Sequence, residues 1–402
     1  MKIGDADLSD PRAFDGGFPH EYFRMLRRDA PVSWNAERDG GPGFWVITKY
    51  DDLKQVSREP NLFSSWRGGT NIFDPPENTL MELRAIMLNM DPPQHVKFRR
   101  LVQKGFTPRM VTRLEEHIRD MARTIVDRVA HKGECEFVSE IAAELPMQVI
   151  CELVGVPEED RRRVYDLSNL MIGFDDPEVQ ASREQGKQAG IEMFMYAAKL
   201  AEQGRTQPAD NLATALVNAE VDGEKLTELE FNSFFLLLAV AGNETTRTVT
   251  AHGMRLLMEH PDQRRRLIDN PGLIPSAIEE ILRYNPPVMY FRRTATADTE
   301  IRATKIRAGD KITMWYPSVN RDEDVFPDPD RFDVARSPNE HLAFGIGEHF
   351  CLGANLARLE LKVIFEELLR RLPDMEPAAP PRLLRSNFID GIKEMRVKFA
   401  PS

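Results

Sequence analysis

The stretch of sequence that decides the fold is Phe344-Gly345-Ile346-Gly347-Glu348-His349-Phe350-Cys351-Leu352-Gly353. Its three glycines lie within nine positions, and glycine lets the backbone adopt positive φ angles and approach a flat ligand closely. The apolar pattern that follows predicts a helix from about Ala354 to Arg371. The beginning of a helix lowers the pKa of a thiol, and free backbone N–H groups there can donate to its sulfur. The pattern therefore predicts a functional thiolate at Cys351.

The other two cysteines, Cys135 and Cys151, have no such surroundings and are expected to be buried structural residues. Three widely spaced cysteines predict neither a disulfide framework nor a paired metal site, and they favour a reducing compartment. No secretory signal is visible at the N-terminus, and the apolar run Phe234 to Ala241 is too short to cross a bilayer. We therefore expect a cytoplasmic protein without a membrane span.

The composition is that of a globular protein, with 402 residues of which 42% are hydrophobic and 29% charged. A formal net charge of -11 disfavours nucleic acid or an anionic membrane as the main partner. Helical periodicity dominates from Pro92 to about Asp269, whereas strand-like segments lie at Phe44–Thr48 and between Val288 and Thr313. Since no linker divides the sequence, we expect residues 1–402 to form a single domain, mainly α with small β-sheets.

A long helix is predicted between Thr227 and His260, because Thr227-Glu228-Leu229-Glu230 is a capping box and Pro261 ends the pattern. Such a helix is roughly 45–50 Å long at 1.5 Å per residue, enough to cross the protein. Its middle, Ala241-Gly242-Asn243-Glu244-Thr245-Thr246, contains poor helix formers, a carboxylate and two hydroxyls after an apolar run. These residues predict either a helix that emerges into solvent or an internal groove with an acid and an alcohol.

Two charged motifs precede the cysteine loop. Ser276-Ala277-Ile278-Glu279 predicts a capping box for a helix on which Glu280 and Arg283 share a face, and Pro329-Asp330-Arg331-Phe332 follows that helix.

Nearer the N-terminus, Asp91-Pro92 predicts a helix start, after which His95 and Arg99 share a face. Arginine binds carboxylates in a bidentate manner, so we expect an anionic ligand group there.

Together these segments resemble the cytochromes P450, whose motifs D-x-P-x-H-x-x-x-R, A-G-x-E-T-T, E-x-x-R, P-x-R-F and F-G-x-G-x-H-x-C-L-G occur here in that order. Members of that family hold a haem by a cysteine thiolate that favours O–O cleavage. The resemblance covers essentially the entire chain. It implies a P450-type fold with haem b between the long central helix and the Cys-loop helix, its iron ligated by the thiolate of Cys351.

The resemblance also implies roles for individual residues. Thr245 would stabilise the oxygen species and Glu244 would help to deliver protons. The haem propionates would be held by His95, Arg99, His349 and Arg293, with Arg292 as the alternative to Arg293. Glu280, Arg283 and Arg331 would form a buried structural ion network. The substrate pocket would draw on the segments 66–73 and 171–174, and in particular on Phe73, Phe174, Leu238, Ala241, Val288, Tyr290 and Phe388, a largely apolar set.

The activity implied by the resemblance is insertion of one atom of O2 into a small apolar substrate. Ala241 to Arg247 and Tyr290 to Thr294 look most like the actinobacterial branch that hydroxylates branched-chain lipids and sterol side chains, and a terpenoid also fits. Because the sequence has no flavin or iron–sulfur motif, we expect ferredoxin and ferredoxin reductase to supply electrons to a monomeric enzyme. Lys97, Arg100 and Lys104 form either a docking patch for an acidic ferredoxin or a solvated helix face.

Three alternatives stand beside this interpretation. The protein could be a peroxide-using enzyme, or a haem protein that binds apolar ligands without turnover. It could also be a thiol hydrolase with Cys351 as nucleophile and His349 as base. The acid–alcohol pair Glu244–Thr245 favours the monooxygenase over the first two alternatives. The hydrolase is disfavoured because residues two apart in sequence rarely align as a catalytic dyad.

Overall fold

The structure is a computed structural model that describes residues 3–4, 6–37, 40–106, 108–173, 175–179, 183–221 and 223–402. Within these ranges the α-helices are α1 His20–Asp29, α2 Tyr50–Arg58, α3 Glu77–Leu83, α4 Gln94–Val102, α5 Pro108–Ala130, α6 Glu144–Val154, α7 Glu158–Ile172, α8 Arg183–Thr206, α9 Leu212–Val217, α10 Glu228–Glu259, α11 Pro261–Asp269, α12 Ile274–Tyr284, α13 Tyr316–Val319 and α14 Ala354–Arg371. The prediction of a mainly α fold is therefore confirmed.

The strands are short. They are β1 Val32–Asn35, β2 Phe44–Ile47, β3 Phe63–Ser64, β4 Glu134–Glu136, β5 Glu220–Val221, β6 Glu224–Lys225, β7 Tyr290–Ala295, β8 Thr299–Ile301, β9 Thr304–Ile306, β10 Lys311–Trp315, β11 Glu376–Pro377, β12 Arg382–Leu383, β13 Ile392–Glu394 and β14 Arg396–Lys398. The largest sheet has the order β1-β2-β10-β7-β3, with β2 and β10 parallel and the other neighbours antiparallel. β11, β14 and β4 form a second sheet, and the other strands pair in twos.

The central helix α10 has the bounds that the sequence predicts. The capping box forms, because the Thr227 N–H donates to Glu230 Oε2 at 2.8 Å and the Glu230 N–H donates to Thr227 Oγ1 at 3.2 Å. The helix packs against α6, α8, α12 and α14, so it forms the axis of the helical core. The helix predicted at Ala354–Arg371 is α14, with the same ends.

The other two predicted helix caps are wrong. Ser276 lies inside α12, and its hydroxyl donates to the carbonyl oxygens of Leu273 and Val334 at 2.9 and 2.7 Å. α4 begins at Gln94, because the Asp91 carboxylate accepts instead from the Ser64 hydroxyl and from the N–H of Ser65. In both cases the side chain that local spacing assigned to a helix cap forms a tertiary hydrogen bond instead.

The predicted ion network contains a different arginine. Glu280 and Arg283 are fully buried and joined at 2.7 Å, and Arg336 donates to both oxygens of Glu280 at 3.1 Å. The side chain of Arg331 is 66% exposed, and the carboxylate paired with it, that of Asp333, lies 3.9 Å away. The prediction for Arg331 is therefore wrong: its backbone carbonyl accepts from Arg283 and Arg336, while its side chain points to solvent.

We expect Arg336→Ala to lower the free energy of unfolding by about 3 kcal/mol, because the change removes a cation from a fully buried carboxylate. Arg331→Ala is the matched control from the same segment, and its effect should stay within about 0.5 kcal/mol because that side chain is exposed. Urea unfolding of both variants measures the difference. Equal losses in the two variants would contradict the assignment of Arg336 to the network.

Candidate active site

A cavity lies between the middle of α10 and the loop that carries Cys351. The empty space between these two elements is about 1530 Å³, including the open solvent at the mouth of the cavity. The loop side is lined by Phe344, Gly345, Ile346, Phe350, Cys351 and Leu352, and the helix side by Leu237, Leu238, Ala241, Gly242, Thr245 and Thr246.

The cysteine loop is held by backbone hydrogen bonds and by glycine. The N–H of Cys351 donates to the carbonyl of Phe344 at 2.8 Å. Gly345 and Gly347 have φ angles of 70° and 77°, in the left-handed region that a side chain disfavours. A Cβ atom at Gly347 would also lie 2.8 Å from the carbonyl oxygen of Ser57. The prediction that glycine is needed for this loop is confirmed.

The thiol of Cys351 has a raised pKa, not the lowered one expected from a helix start. Burial is the largest cause, and it outweighs the N–H of Gly353 together with the charges of Arg99 and Arg358, which lower the pKa. α14 begins at Ala354, three residues after Cys351, and Gly353 is its N-cap residue. Among the described residues, this is the cysteine that lines the cavity.

Cys135 and Cys151 are buried in the helical core, as predicted. Burial raises the pKa of each thiol to about 12, so neither is a thiolate at neutral pH.

Four basic side chains form one wall of the cavity, and the sequence had singled out all four: His95, Arg99, Arg293 and His349. The His95 and His349 rings lie 4.2 Å apart between centroids, and neither ring nitrogen of His95 has a hydrogen-bond partner among the described residues. Arg99 and Arg293 likewise form no salt bridge with an acidic side chain in the part of the chain that the structure describes. We refer to these four residues as the basic wall.

Burial is the main cause of the lowered pKa values in the basic wall. It lowers the pKa of His95 to about 4 and that of His349 well below its usual range, with the nearby arginines adding to the effect. Burial also lowers the pKa of Arg99 and Arg293. Buried donors and cations without an acidic partner are costly on their own. They fit the two carboxylates of a haem, which would supply the missing anions.

The pleat of β7 separates Arg292 from Arg293. Side chains alternate along a strand, and Phe291 and Arg293 face the cavity. Arg292 faces the other side of the sheet, where it donates to the carbonyls of Asn71 and Ile72 and pairs with Asp74 at 2.6 Å. Of the two arginines that the sequence left open, Arg293 is the one that reaches the cavity.

The acid and the alcohol of α10 lie on different sides of the helix. Thr245 lines the cavity, and its hydroxyl donates to the carbonyl of Ala241 at 2.7 Å. Glu244 is 2% exposed, does not line the cavity and pairs with Arg247. Arg247 donates in turn to Asn169 Oδ1 of α7 at 2.8 Å. The polar interruption is therefore an internal groove and not a helix end in solvent, because it lies in the middle of α10 beside the cavity.

The predicted substrate pocket is only partly formed by the predicted residues. Leu238, Ala241 and Val288 line the cavity. Tyr290 does not, because the pleat of β7 turns it to the opposite face, where it packs against Trp315 and Phe388.

Three further residues of the prediction are outside the cavity or outside the described chain. Phe73 is 51% exposed, and neither Phe73 nor Phe388 lines the cavity. Phe174 lies outside the described residues.

Several cavity residues are absent from the sequence prediction. Phe234 and Leu237 precede Leu238 and Ala241 at helical spacing, so the periodicity of α10 could have identified them. Glu360 of α14 also lines the cavity, and burial raises its pKa to about 8. Nothing in the local sequence distinguishes Glu360 from a surface carboxylate. Nothing in the local sequence identifies Met87, Leu88, Phe106 and Ile150 as cavity residues either, because they come from separate helices and turns.

Comparison with known proteins identifies the class. The chain matches the family model of the cytochromes P450 over residues 14–271 and 272–384, and it belongs to that family. It is 44% identical over 412 residues to the methyl-branched lipid omega-hydroxylase of Mycobacterium bovis, covering 100% of this chain and 96% of that protein. It is 42% identical over 402 residues to the steroid C26-monooxygenase of Rhodococcus jostii, covering 98% and 84%.

Solved structures agree with this assignment. A cytochrome P450 of Mycobacterium marinum in complex with pseudoionone superimposes with a TM-score of 0.92 at 40% identity, covering 99% of this chain and 100% of that one. The protein is therefore a cytochrome P450 monooxygenase whose cofactor is a haem with its iron bound by a cysteine thiolate. The hydrolase alternative is wrong, and so is the alternative of a haem protein without turnover. No helix in the described part of the chain is long and apolar enough to cross a membrane.

The residues of this chain have separable tasks around that cofactor. Haem supplies the redox chemistry that activates O2. Cys351 would hold the iron, the basic wall would bind the propionates, and the glycines of the loop would let the backbone come close to the ring.

We expect Cys351→Ala to abolish hydroxylation and the red-shifted Soret band of the reduced, CO-treated protein, because the thiolate ligand is lost. Cys151→Ala is the matched control, a buried cysteine whose removal should cost stability but leave the band in place. Absorption spectra of the two purified variants, reduced and treated with CO, measure whether the red-shifted band is present. A retained red-shifted band in the Cys351 variant would show that another residue holds the iron.

Proposed function

We propose that this monooxygenase hydroxylates the end of an alkyl chain, in a methyl-branched lipid or a sterol side chain. The names of the relatives support the proposal, since omega-hydroxylase and C26-monooxygenase both describe oxidation at a chain end. A terpenoid is a second candidate, because the Mycobacterium marinum relative was solved with pseudoionone.

The observation that carries the proposal is the composition of the cavity away from the basic wall. That part is lined by Met87, Leu88, Phe106, Phe234, Leu238 and Val288. An alkyl group gains about 0.8 kcal/mol for each CH₂ that it buries in such surroundings. A carboxylate or hydroxyl would lose its hydration there without a partner. A substrate with one polar end would therefore enter with its alkyl end first and present that end to the reaction.

A sterol pair tests this orientation. We expect cholest-4-en-3-one to shift the oxidised protein from low to high spin. Androstenedione has the same ring system with a ketone in place of the side chain, and it should bind at least about tenfold more weakly because fewer CH₂ groups are buried. Optical titration measures both affinities, with a methyl-branched fatty acid titrated in parallel. Mass spectrometry of the products should locate the new hydroxyl at the chain end. Equal binding of the two steroids, or oxidation of the rings, would contradict the proposal.

We also propose roles for the two polar residues of α10. Thr245 would donate from the cavity side after its hydroxyl leaves the carbonyl of Ala241. Glu244 would resupply the proton from the other side of the helix. The pairing with Arg247 supports this role, because it holds the Glu244 side chain in place between catalytic cycles.

Thr245→Ala should still consume reductant but release more peroxide and less product, because proton delivery to the cavity is impaired. Thr250→Ala is the matched control: its hydroxyl also donates to the preceding turn, at 2.9 Å to Thr246, but it does not line the cavity. The ratio of product to reductant consumed measures the coupling. Unchanged coupling in the Thr245 variant would mean that protons arrive by another route.

Ferredoxin and ferredoxin reductase are proposed as the electron donors. Of the stripe expected to dock them, Lys97 pairs with Glu224 and Arg100 is exposed, while the side chain of Lys104 lies outside the described residues. The pairing of Lys97 favours Arg100 as the contact with an acidic partner.

A single domain, a monomeric state and a cytoplasmic location complete the proposal. α10 packs against helices from both halves of the chain, which supports the single domain. The three free cysteines support a reducing compartment.

A further inference from the structure

Two consecutive glutamates of α12 belong to different networks. Glu280 is fully buried with Arg283 and Arg336. Glu279 points to the cysteine loop, where both of its oxygens accept from Arg358 of α14, at 2.7 and 2.9 Å. Such a bidentate pair fixes the position of the guanidinium as well as balancing its charge.

His341 completes the arrangement around Glu279. Its Nδ1 accepts from the N–H of Ala343 at 3.2 Å, which leaves the proton of a neutral ring on Nε2. Nε2 lies 3.0 Å from Glu279 Oε2 and donates to it. The hydrogen bonds from Arg358 and His341 lower the pKa of Glu279 to about 2 against the opposing effect of burial, so the carboxylate is charged at neutral pH.

Arg358 lies beside the residues that carry the thiolate. Its guanidinium is 4.5 Å from the centre of the Phe344 ring, in the range of a cation–π contact. The carbonyl of Phe344 accepts the N–H of Cys351 at 2.8 Å. The charge of Arg358 therefore acts on Cys351, together with that of Arg99. Arg358 differs from Arg99 in having a carboxylate partner among the described residues.

We propose that Glu279 sets the reduction potential of the haem by balancing the charge of Arg358 beside the Cys351 thiolate. A positive charge near a thiolate holds its electrons back from the iron and favours the reduced state. Glu279 cancels most of that charge and so keeps the thiolate a strong donor. The side chains of Glu279 and Arg358 are 28% and 37% exposed, so the solvent weakens this effect without removing it.

Glu279 is a positioning residue, because it touches neither substrate nor cofactor. The inference rests on the haem–thiolate centre of the family and not on the proposed substrate. It is therefore tested in the holoprotein without substrate, and a failure of the substrate proposal would leave the result unchanged.

The test is a redox titration of the substrate-free holoprotein and three variants. Glu279→Gln should shift the potential to more positive values, by up to tenfold in the equilibrium constant for reduction, which is about 59 mV for one electron. Arg358→Gln should shift it to more negative values. The double variant should return close to the wild type, since both charges are gone.

Glu366→Gln is the matched control. Glu366 lies on α14, is 27% exposed and pairs with an arginine, Arg119, in the same way, but it does not line the cavity. Its removal should leave the potential unchanged. Glu279→Asp, which keeps the charge, should retain most of the wild-type potential and covers the case in which Glu279→Gln fails to fold.

Three results would overturn the proposal. The first is a potential in the Glu279→Gln variant that matches the Glu366→Gln control. The second is a shift of both single variants in the same direction, which indicates a loosened loop and not a balance of charges. The third is a change in electron transfer from ferredoxin without any change in potential, which would make Arg358 a docking residue.

Discussion

The buried pair of Glu280 and Arg283 links α12 to the loop that holds the thiolate. Arg283 has donors left after binding the carboxylate, and one of them binds the carbonyl of Asn320 at 3.0 Å. The side chain of Asn320 accepts the N–H of Leu342 at 2.8 Å, and the Leu342 carbonyl accepts the N–H of Gly345 at 2.8 Å. A buried carboxylate is costly unless each partner is present. The geometry of the cysteine loop therefore depends on an ion pair some sixty residues earlier in the chain.

The charges around the cavity explain how one site can hold an anionic cofactor and an apolar substrate. The basic wall gathers its positive groups at one edge, where the propionates would neutralise them. The rest of the lining is apolar, which favours desolvated alkyl groups. Glu360 is the exception, and its raised pKa keeps it neutral and protonated for much of the time at pH 7.

Several pairs of consecutive residues face different parts of the structure. On a helix, consecutive side chains point about 100° apart, so Thr245 faces the cavity while Glu244 faces α7. The same rotation sends Glu280 into the structural network and leaves Glu279 beside the cysteine loop. On β7 the alternation of a strand does the same for two arginines. The roles proposed for these residues in catalysis, structural support and electrostatic tuning thus share short segments without competing for one position.

The order of the motifs in the sequence by itself determined the family and, through it, the cysteine thiolate. Local spacing and turn chemistry determined the mainly α fold and the ends of α10 and α14. The sequence also identified every residue of the basic wall, except for the choice between Arg292 and Arg293. Only the tertiary structure made that choice, because it depends on which face of β7 meets the cavity. Tertiary packing likewise selected Arg336 over Arg331. These outcomes depend on contacts between distant segments, which spacing along the chain does not encode.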